Sequence, residues 1–254
     1  MAQVTAGDVV FDVDAVAFDK DGTLIDLDAA WGPAAHAWVV TAASGDPALE
    51  RILADDLGLD LPTGHLAEGG LFAVGTVGQL YDTTLAVLSD HGFGDADARV
   101  TSDRARETSA LAGEKGNLVA LGDVAGVFRL LHAAGIRLAI VSSDDRSAID
   151  SAVEALGVGQ MLAAVVAGNE GLDAKPAPAA LIEAADRLGL EPARLLYVGD
   201  SWVDAEAGQA AGVAGVVLVG KQPTENSLRA TVVVPGIDSL QVGRESKPDI
   251  SRPR

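Results

Sequence analysis

Two aspartates, Asp19 and Asp21, stand with one residue between them in the stretch VAFDKDGTLID (residues 16–26), after a short apolar run and just before a glycine. Side chains two apart on extended backbone point the same way, so both carboxyls can address one ligand. Two chemistries use such a pair. A calcium loop takes acids at alternate positions, a glycine at the sixth and a glutamate at the twelfth. A phosphoryl-transfer site takes one carboxylate as nucleophile and a second carboxyl beside it to protonate the leaving oxygen. Spacing opposes calcium. With Gly22 sixth, Ala17 falls first and Asp28 twelfth, and the preceding segment is strand-like rather than helical. Gly22 and Thr23 let the chain turn sharply after the pair.

Attack of one anion on another needs a metal ion to screen their repulsion, and later residues bring further carboxylates, hydroxyls and a cation to the same place. RLAIVSS (137–143) ends in Ser142 and Ser143. LLYVGD (195–200) ends in Gly199 and Asp200, with Asp204 four residues on. Lys175 precedes a helical pattern that leads into that run. Each has a plainer reading when taken singly: a turn, a helix cap, a solvated lysine. Their convergence is what capping alone does not produce, because ligands of open α/β sheets bind beyond the carboxyl ends of the strands.

The elements that must position these residues follow from hydrophobic runs. AVAF (15–18), RLAIVSS, LLYVGD and AGVVLVG (214–220) read as buried parallel strands, with LAAVVAG (162–168) and ATVVV (230–234) as weaker additions. Helical patterns fall between them, at 123–135, 145–157 and 175–189, the first two opening on an aspartate cap and the third carrying prolines near its start. The alternation predicts an α/β fold, a Rossmann-like open parallel sheet core. Residues 28–118 break the rhythm with helical patterns alone, interrupted by the Gly-rich GHLAEGG (64–70). The expected organisation is a core from 1–27 and 119–243, an all-helical insert over 28–118 after the first strand, and a frayed polar tail at 244–254.

In series, FDKDGTL, a strand ending in Ser, KP and GDSWVD resemble the haloacid dehalogenase-like (HAD) hydrolase superfamily over residues from about 10 to 235. The resemblance implies Asp19 as nucleophile, forming an aspartyl-phosphate, and Asp21 as acid and then base. It implies Ser142 and Lys175 on the phosphoryl oxygens, with Gly22, Thr23 and Ser143 around them. Mg²⁺ would be held by Asp19, by the backbone carbonyl of Asp21, by Asp200, and by Asp204 through water unless Asp204 pairs with Lys175. Lys20 is given no catalytic role. The insert resembles the helical cap of the phosphoglycolate phosphatase and β-phosphoglucomutase branch, with Arg51, His36, His65 and the GHLAEGG loop as candidates for choosing a small phosphorylated metabolite. Asp21 argues for phosphoryl transfer over dehalogenation, and the absence of lysine from residues 24–114 argues against Schiff-base chemistry in the cap. A sugar phosphomutase and a catalytically silent phosphate-binding regulator stay open beside the phosphatase.

Composition bounds the partners. A formal net charge of −19 opposes binding to a nucleic-acid backbone, and any anionic substrate meets a repulsive background with only five lysines in the chain. Apolar residues at 48% allow a sizeable core. No cysteine is present, which excludes disulfides, thiolate metal sites and a cysteine nucleophile. No basic leader or long apolar segment is evident, so no membrane partner and a cytoplasmic location are expected, as a monomer or homodimer.

Overall fold

The computed structural model describes residues 2–67, 69–113, 118–220 and 230–243. The tail expected at 244–254 lies outside the described residues. Strands β1 (Ala2–Ala6) and β2 (Val9–Val13) precede β3 (Ala15–Phe18). Five helices and a small hairpin follow: α1 (Leu27–Ala43), α2 (Pro47–Leu57), β4 (Leu59–Asp60), β5 (His65–Leu66), α3 (Leu71–Val74), α4 (Val77–Asp90) and α5 (Asp95–Gly113). The chain then alternates through α6 (Val124–Ala133), β6 (Arg137–Val141), α7 (Arg146–Leu156), β7 (Leu162–Val166), α8 (Ala179–Leu188), β8 (Leu195–Gly199), α9 (Trp202–Ala211) and β9 (Gly215–Val219). It closes with β10 (Val232–Val234) and β11 (Leu240–Val242).

The main sheet has six strands in the order β10-β9-β8-β3-β6-β7, and every pairing in it is parallel. Its residues alternate between faces, as strand geometry requires. Val16, Phe18, Leu138, Ile140, Leu196 and Val198 pack beneath α6 and α7, where Phe18 stacks on Phe128 at 4.8 Å. Ala15, Ala17, Ala139, Leu195 and Tyr197 pack beneath α8 and α9. The result is the expected helix–sheet–helix core. Burial on this scale is the main stabilising term; truncating Phe128 to alanine costs about 3–5 kcal/mol.

Three local features depart from the sequence reading. AVAF is the third strand, because β1 and β2 form a separate antiparallel sheet with β11. Phe11 of β2 packs into the same apolar cluster as Val16 and Phe18, which is why a segment with Asp12 still folds as strand, while Asp14 falls in the bend between β2 and β3. The insert is helical but also carries the β4–β5 hairpin, two residues per strand and too short to show a period of two. The helix read from Lys175 begins at Ala179, since Pro176 and Pro178 lack amide donors and disfavour helix in the residues before them. Lys175 is therefore a loop residue.

The insert builds its own apolar cluster, including Trp38, Leu49, Leu53, Leu57, Leu66, Leu88 and Ala105. The Trp38 indole donates to Thr84 Oγ1 at 2.9 Å inside it. The chain leaves and re-enters the sheet through adjacent segments: Leu121 N donates to Leu24 O at 2.9 Å and Asp26 N to Val119 O at 2.8 Å. Asp26 then caps α1 by accepting from Ala29 N at 3.0 Å, a contact of about 1 kcal/mol.

Candidate active site

Strand β3 runs between β6 and β8, with Phe18 level with Ile140 on one side and Val198 on the other. The three carboxyl ends therefore open at one place. Asp19, the first residue beyond β3, stays stapled to β8 through its amide, which donates to Val198 O at 2.8 Å. By alternation its side chain follows Ala17 toward the α8/α9 face. There it meets Lys175.

Lys175 Nζ lies 2.6 Å from Asp19 Oδ1, 2.7 Å from Asp204 Oδ1 and 3.1 Å from the Tyr197 hydroxyl. The Tyr197 hydroxyl donates to Asp204 Oδ1 at 2.8 Å. The other oxygen of Asp204 accepts from Ser201 Oγ at 2.6 Å and from Ser201 N at 3.2 Å. Asp204 and Ser201 form the capping box of α9, so one carboxylate both starts a helix and anchors the lysine. Burial would raise Asp204, but Lys175 and the hydrogen bonds from Ser201 and Tyr197 outweigh it and hold the carboxyl below the usual range. Burial pushes Asp19 up to about 7 despite Lys175. Burial would lower Lys175, yet Asp19 and Asp204 hold its ammonium well above the ordinary value.

Carboxylate oxygens of Asp19, Asp200 and Asp204 lie within 4.8 Å of one another. Asp200 is half-buried; the crevice removes enough water, and Asp204 and Asp19 add enough negative charge, to push its carboxyl well above the usual range. A hard divalent cation would relieve that repulsion, and an all-oxygen donor set is what such a cation takes. The residues present fit one. Gly22 makes the approach possible: its φ of +77° favours glycine, and a Cβ there would sit 2.1 Å from Asp200 Oδ2.

Asp21 lies outside this cluster of three. Its carboxylate accepts from Lys20 Nζ at 2.5 Å, and Lys20 also reaches Asp144 Oδ2 at 2.9 Å. Trp31, on α1, stands near it. Burial and then the charge of Asp144 push Asp21 up to about 6, with Lys20 and Trp31 acting in the opposite sense. Ser142, at the end of β6, is buried, and its Oγ accepts from Asp144 N at 3.1 Å. Ser143 follows it, half-buried. Thr23 is buried with its hydroxyl unpartnered among the described residues.

Sequence reasoning thus names Asp19, Lys175, Asp200 and Asp204, which meet directly. It does not name Tyr197 or Trp31, and it gives Lys20 no role although Lys20 is only 3% exposed. A faint signal existed for two of them. Tyr197 carries the one side-chain hydroxyl in a strand buried on both faces, and Lys20 sits between two acids at a buried strand end.

On the insert, Arg51 is exposed on α2. His36 is also exposed and lines an open cleft of about 650 Å³ with Asp26, Asp28, Leu61, Thr63 and Gly64. His65 Nδ1 lies 2.7 Å from Asp28 Oδ2, and Leu66 N donates to Asp28 Oδ1 at 2.8 Å, so this aspartate fastens the hairpin to α1. The insert also touches the core beside the site. A side chain at Gly69 would come within 3.3 Å of the Trp202 indole nitrogen, two residues from Asp200.

The family model of the haloacid dehalogenase-like hydrolases matches residues 13–212, which span β3 through α9 and every residue of this site. The chain belongs to that family. Among curated relatives, phosphoglycolate phosphatases from Salmonella typhi and Escherichia coli K12 are 35% and 34% identical over 95 residues. That stretch is 37% of this chain and 38% of each relative, so the match spans well under half the length of either enzyme. Solved HAD structures extend the likeness in fold. A predicted phosphoglycolate phosphatase from Haemophilus somnus has a TM-score of 0.64 at 18% identity, covering 89% of this chain and 95% of that one. A β-phosphoglucomutase from Clostridium difficile has a TM-score of 0.64 at 18% identity, covering 89% and 92%. Among the described residues, no helix is long and apolar enough to cross a membrane.

Proposed function

We propose that this HAD hydrolase is a divalent-cation-dependent phosphatase that hydrolyses a small phosphorylated metabolite through an aspartyl-phosphate. The observation that carries the reading is the division of the acids. Asp19 is held by Lys175 against Asp204 and Asp200, while Asp21, two residues away, sits in separate surroundings that keep its proton up to about pH 6.

Lys175 occupies Asp19 Oδ1, which leaves Oδ2 free to attack phosphorus. As that bond forms, the ester P–O bond breaks and Asp21 gives its proton to the leaving oxygen. Asp21, now ionised, takes a proton from water, whose oxygen attacks phosphorus; the bond to Asp19 breaks and phosphate departs. Ser142 is the hydrogen-bond donor for the phosphoryl oxygens, the Lys175 ammonium neutralises their charge while orienting Asp19, and the backbone turn at Gly22 and Thr23, with Ser143, lines the same crevice. Asp19, Asp200 and the carbonyl of Asp21 would hold Mg²⁺, while Asp204 holds Lys175. The cation would neutralise the phosphoryl group so that a carboxylate can approach it.

Residues 28–118 act in this reading as a cap, hinged where Leu24–Asp26 runs beside Val119–Leu121. A cap over the crevice excludes water and favours small substrates. The phosphoglycolate phosphatase relatives support a small phosphate ester as the substrate class. The test is Mg²⁺-dependent release of phosphate from p-nitrophenyl phosphate, abolished by Asp19→Asn. Equal background release by wild type and variant would overturn the reading, and phosphate transfer between sugar positions without release would replace it with a mutase.

A further inference from the structure

We propose that Lys20 is a positioning residue, a buried strut that holds the Asp21 carboxyl in register with the loop carrying Ser142. The proposed function supplies the task of Asp21; the strut itself rests on geometry. Lys20 Nζ stands 2.5 Å from Asp21 Oδ1 and 2.9 Å from Asp144 Oδ2, with its side chain 4% exposed. The two ends of this bridge belong to different parts of the crevice. Asp21 is on the turn after β3, and Asp144 is on the loop after β6.

The Asp144 end is itself anchored. Its amide donates to Ser142 Oγ at 3.1 Å, and its carbonyl accepts from Gly168 N at 2.8 Å. Ser142 N in turn donates to Val166 O at 3.1 Å. A displacement of Lys20 is therefore felt at the hydroxyl expected to bind phosphate as well as at the carboxyl expected to move the proton. A plainer role for Lys20 is to neutralise a buried acid, since unpaired buried charge is costly. Here one ammonium serves two carboxylates. Without it Asp21 and Asp144 face each other with no cation between them and repel. Proton transfer depends on placement within a fraction of an ångström, so this bridge sets rate more than affinity.

The test compares wild type, Lys20→Met and Asp144→Asn by crystallography and by steady-state kinetics with p-nitrophenyl phosphate and Mg²⁺. In Lys20→Met the Asp21 carboxyl is expected to move by about 1 Å or more, with kcat falling about 100-fold and KM changing by less than about threefold. An Asp21 carboxyl that stays in place in Lys20→Met overturns the proposal. Should Lys20→Met not fold, Asp144→Asn carries the test by freeing one end of the strut. Lys20 is then expected to leave the Ser142 loop with a kcat loss of about 10-fold, and an unmoved Lys20 with unchanged kcat overturns the proposal. A wild type without phosphatase activity overturns the proposed function instead, and the crystallographic position of Asp21 still decides for or against the strut.

Discussion

The ammonium of Lys175 lies 2.6 Å from Asp19 Oδ1, joining a loop before α8 to the end of β3 across 156 positions of sequence. Both side chains are more than nine-tenths buried, so the pair is worth little as net stability but is costly to break. Lys175→Met is expected to destabilise the fold by roughly 3–5 kcal/mol and to lower kcat by at least about 1,000-fold. Lys175→Arg should not rescue it, because a planar guanidinium cannot meet three partners arranged around one nitrogen. Denaturant melts and steady-state rates check both; an active arginine variant would refute the point-charge argument.

Tyr197→Phe probes the hydroxyl behind that lysine. The ring stays packed beneath α8 and α9 while the donor to Asp204 Oδ1 disappears. Expected are a loss of about 1 kcal/mol in stability, a kcat decrease of about 5- to 10-fold and no change in KM. An unchanged kcat would make Tyr197 a packing residue only.

How much of this was legible depends on the kind of signal each part leaves. The parallel strands were legible because β3, β8 and β9 are unbroken apolar runs, buried on both faces. Asp19, Asp200 and Asp204 were legible because each follows a strand or opens a helix that the pattern already marked, and Lys175 because it stands just before the prolines that start the pattern leading into β8. Helix α1 was not delimited, since it is apolar on nearly every side and carries no clear stripe. Strands β1 and β2 form a local hairpin across Gly7 and Asp8 that the sequence reading passed over because Asp12 and Asp14 interrupt its apolar run; the pairing of β1 with β11, from the other end of the chain, is one that no local window contains. Tyr197, Trp31 and the bridging role of Lys20 depend on contacts between elements, and the sequence marks those only by a polar atom in an otherwise apolar setting.

The acidic crevice makes stability depend on pH in a direction opposite to that of most carboxylates. Asp19 and Asp21 are raised from the usual 3.8 to about 7 and about 6. Between pH 3.8 and these values the folded chain holds protons that the unfolded chain has released, so these two acids lower stability as pH rises through that window. A divalent cation favours the ionised forms, and the increase in Tm on adding Mg²⁺ should be larger at pH 8 than at pH 5. Asp200→Asn removes another carboxyl that is pushed upward; it should raise the Mg²⁺-free Tm at pH 8 and abolish the Mg²⁺ increment. A full Mg²⁺ shift in Asp200→Asn would remove this carboxylate from the cation site.

Trp31 links the insert to the chemistry. It sits in the second turn of α1, partly buried against the insert's own core, and it acts to lower the Asp21 carboxyl. Trp31→Phe keeps an aromatic ring in that packing and deletes the donor. The fold should survive with a stability change of about 1 kcal/mol, while kcat falls about 5-fold because Asp21 loses the polar N–H from the insert that lowers its carboxyl. Fluorescence gives a second measure. Of the three tryptophans, Trp38 is buried and bonded to Thr84, whereas Trp31 and Trp202 lie where insert and core meet. A phosphate analogue with Mg²⁺ should therefore change emission in wild type, and most of that change should vanish in Trp31→Phe. An identical kcat and an identical fluorescence response in the variant would show that the insert does not act on Asp21 through this side chain.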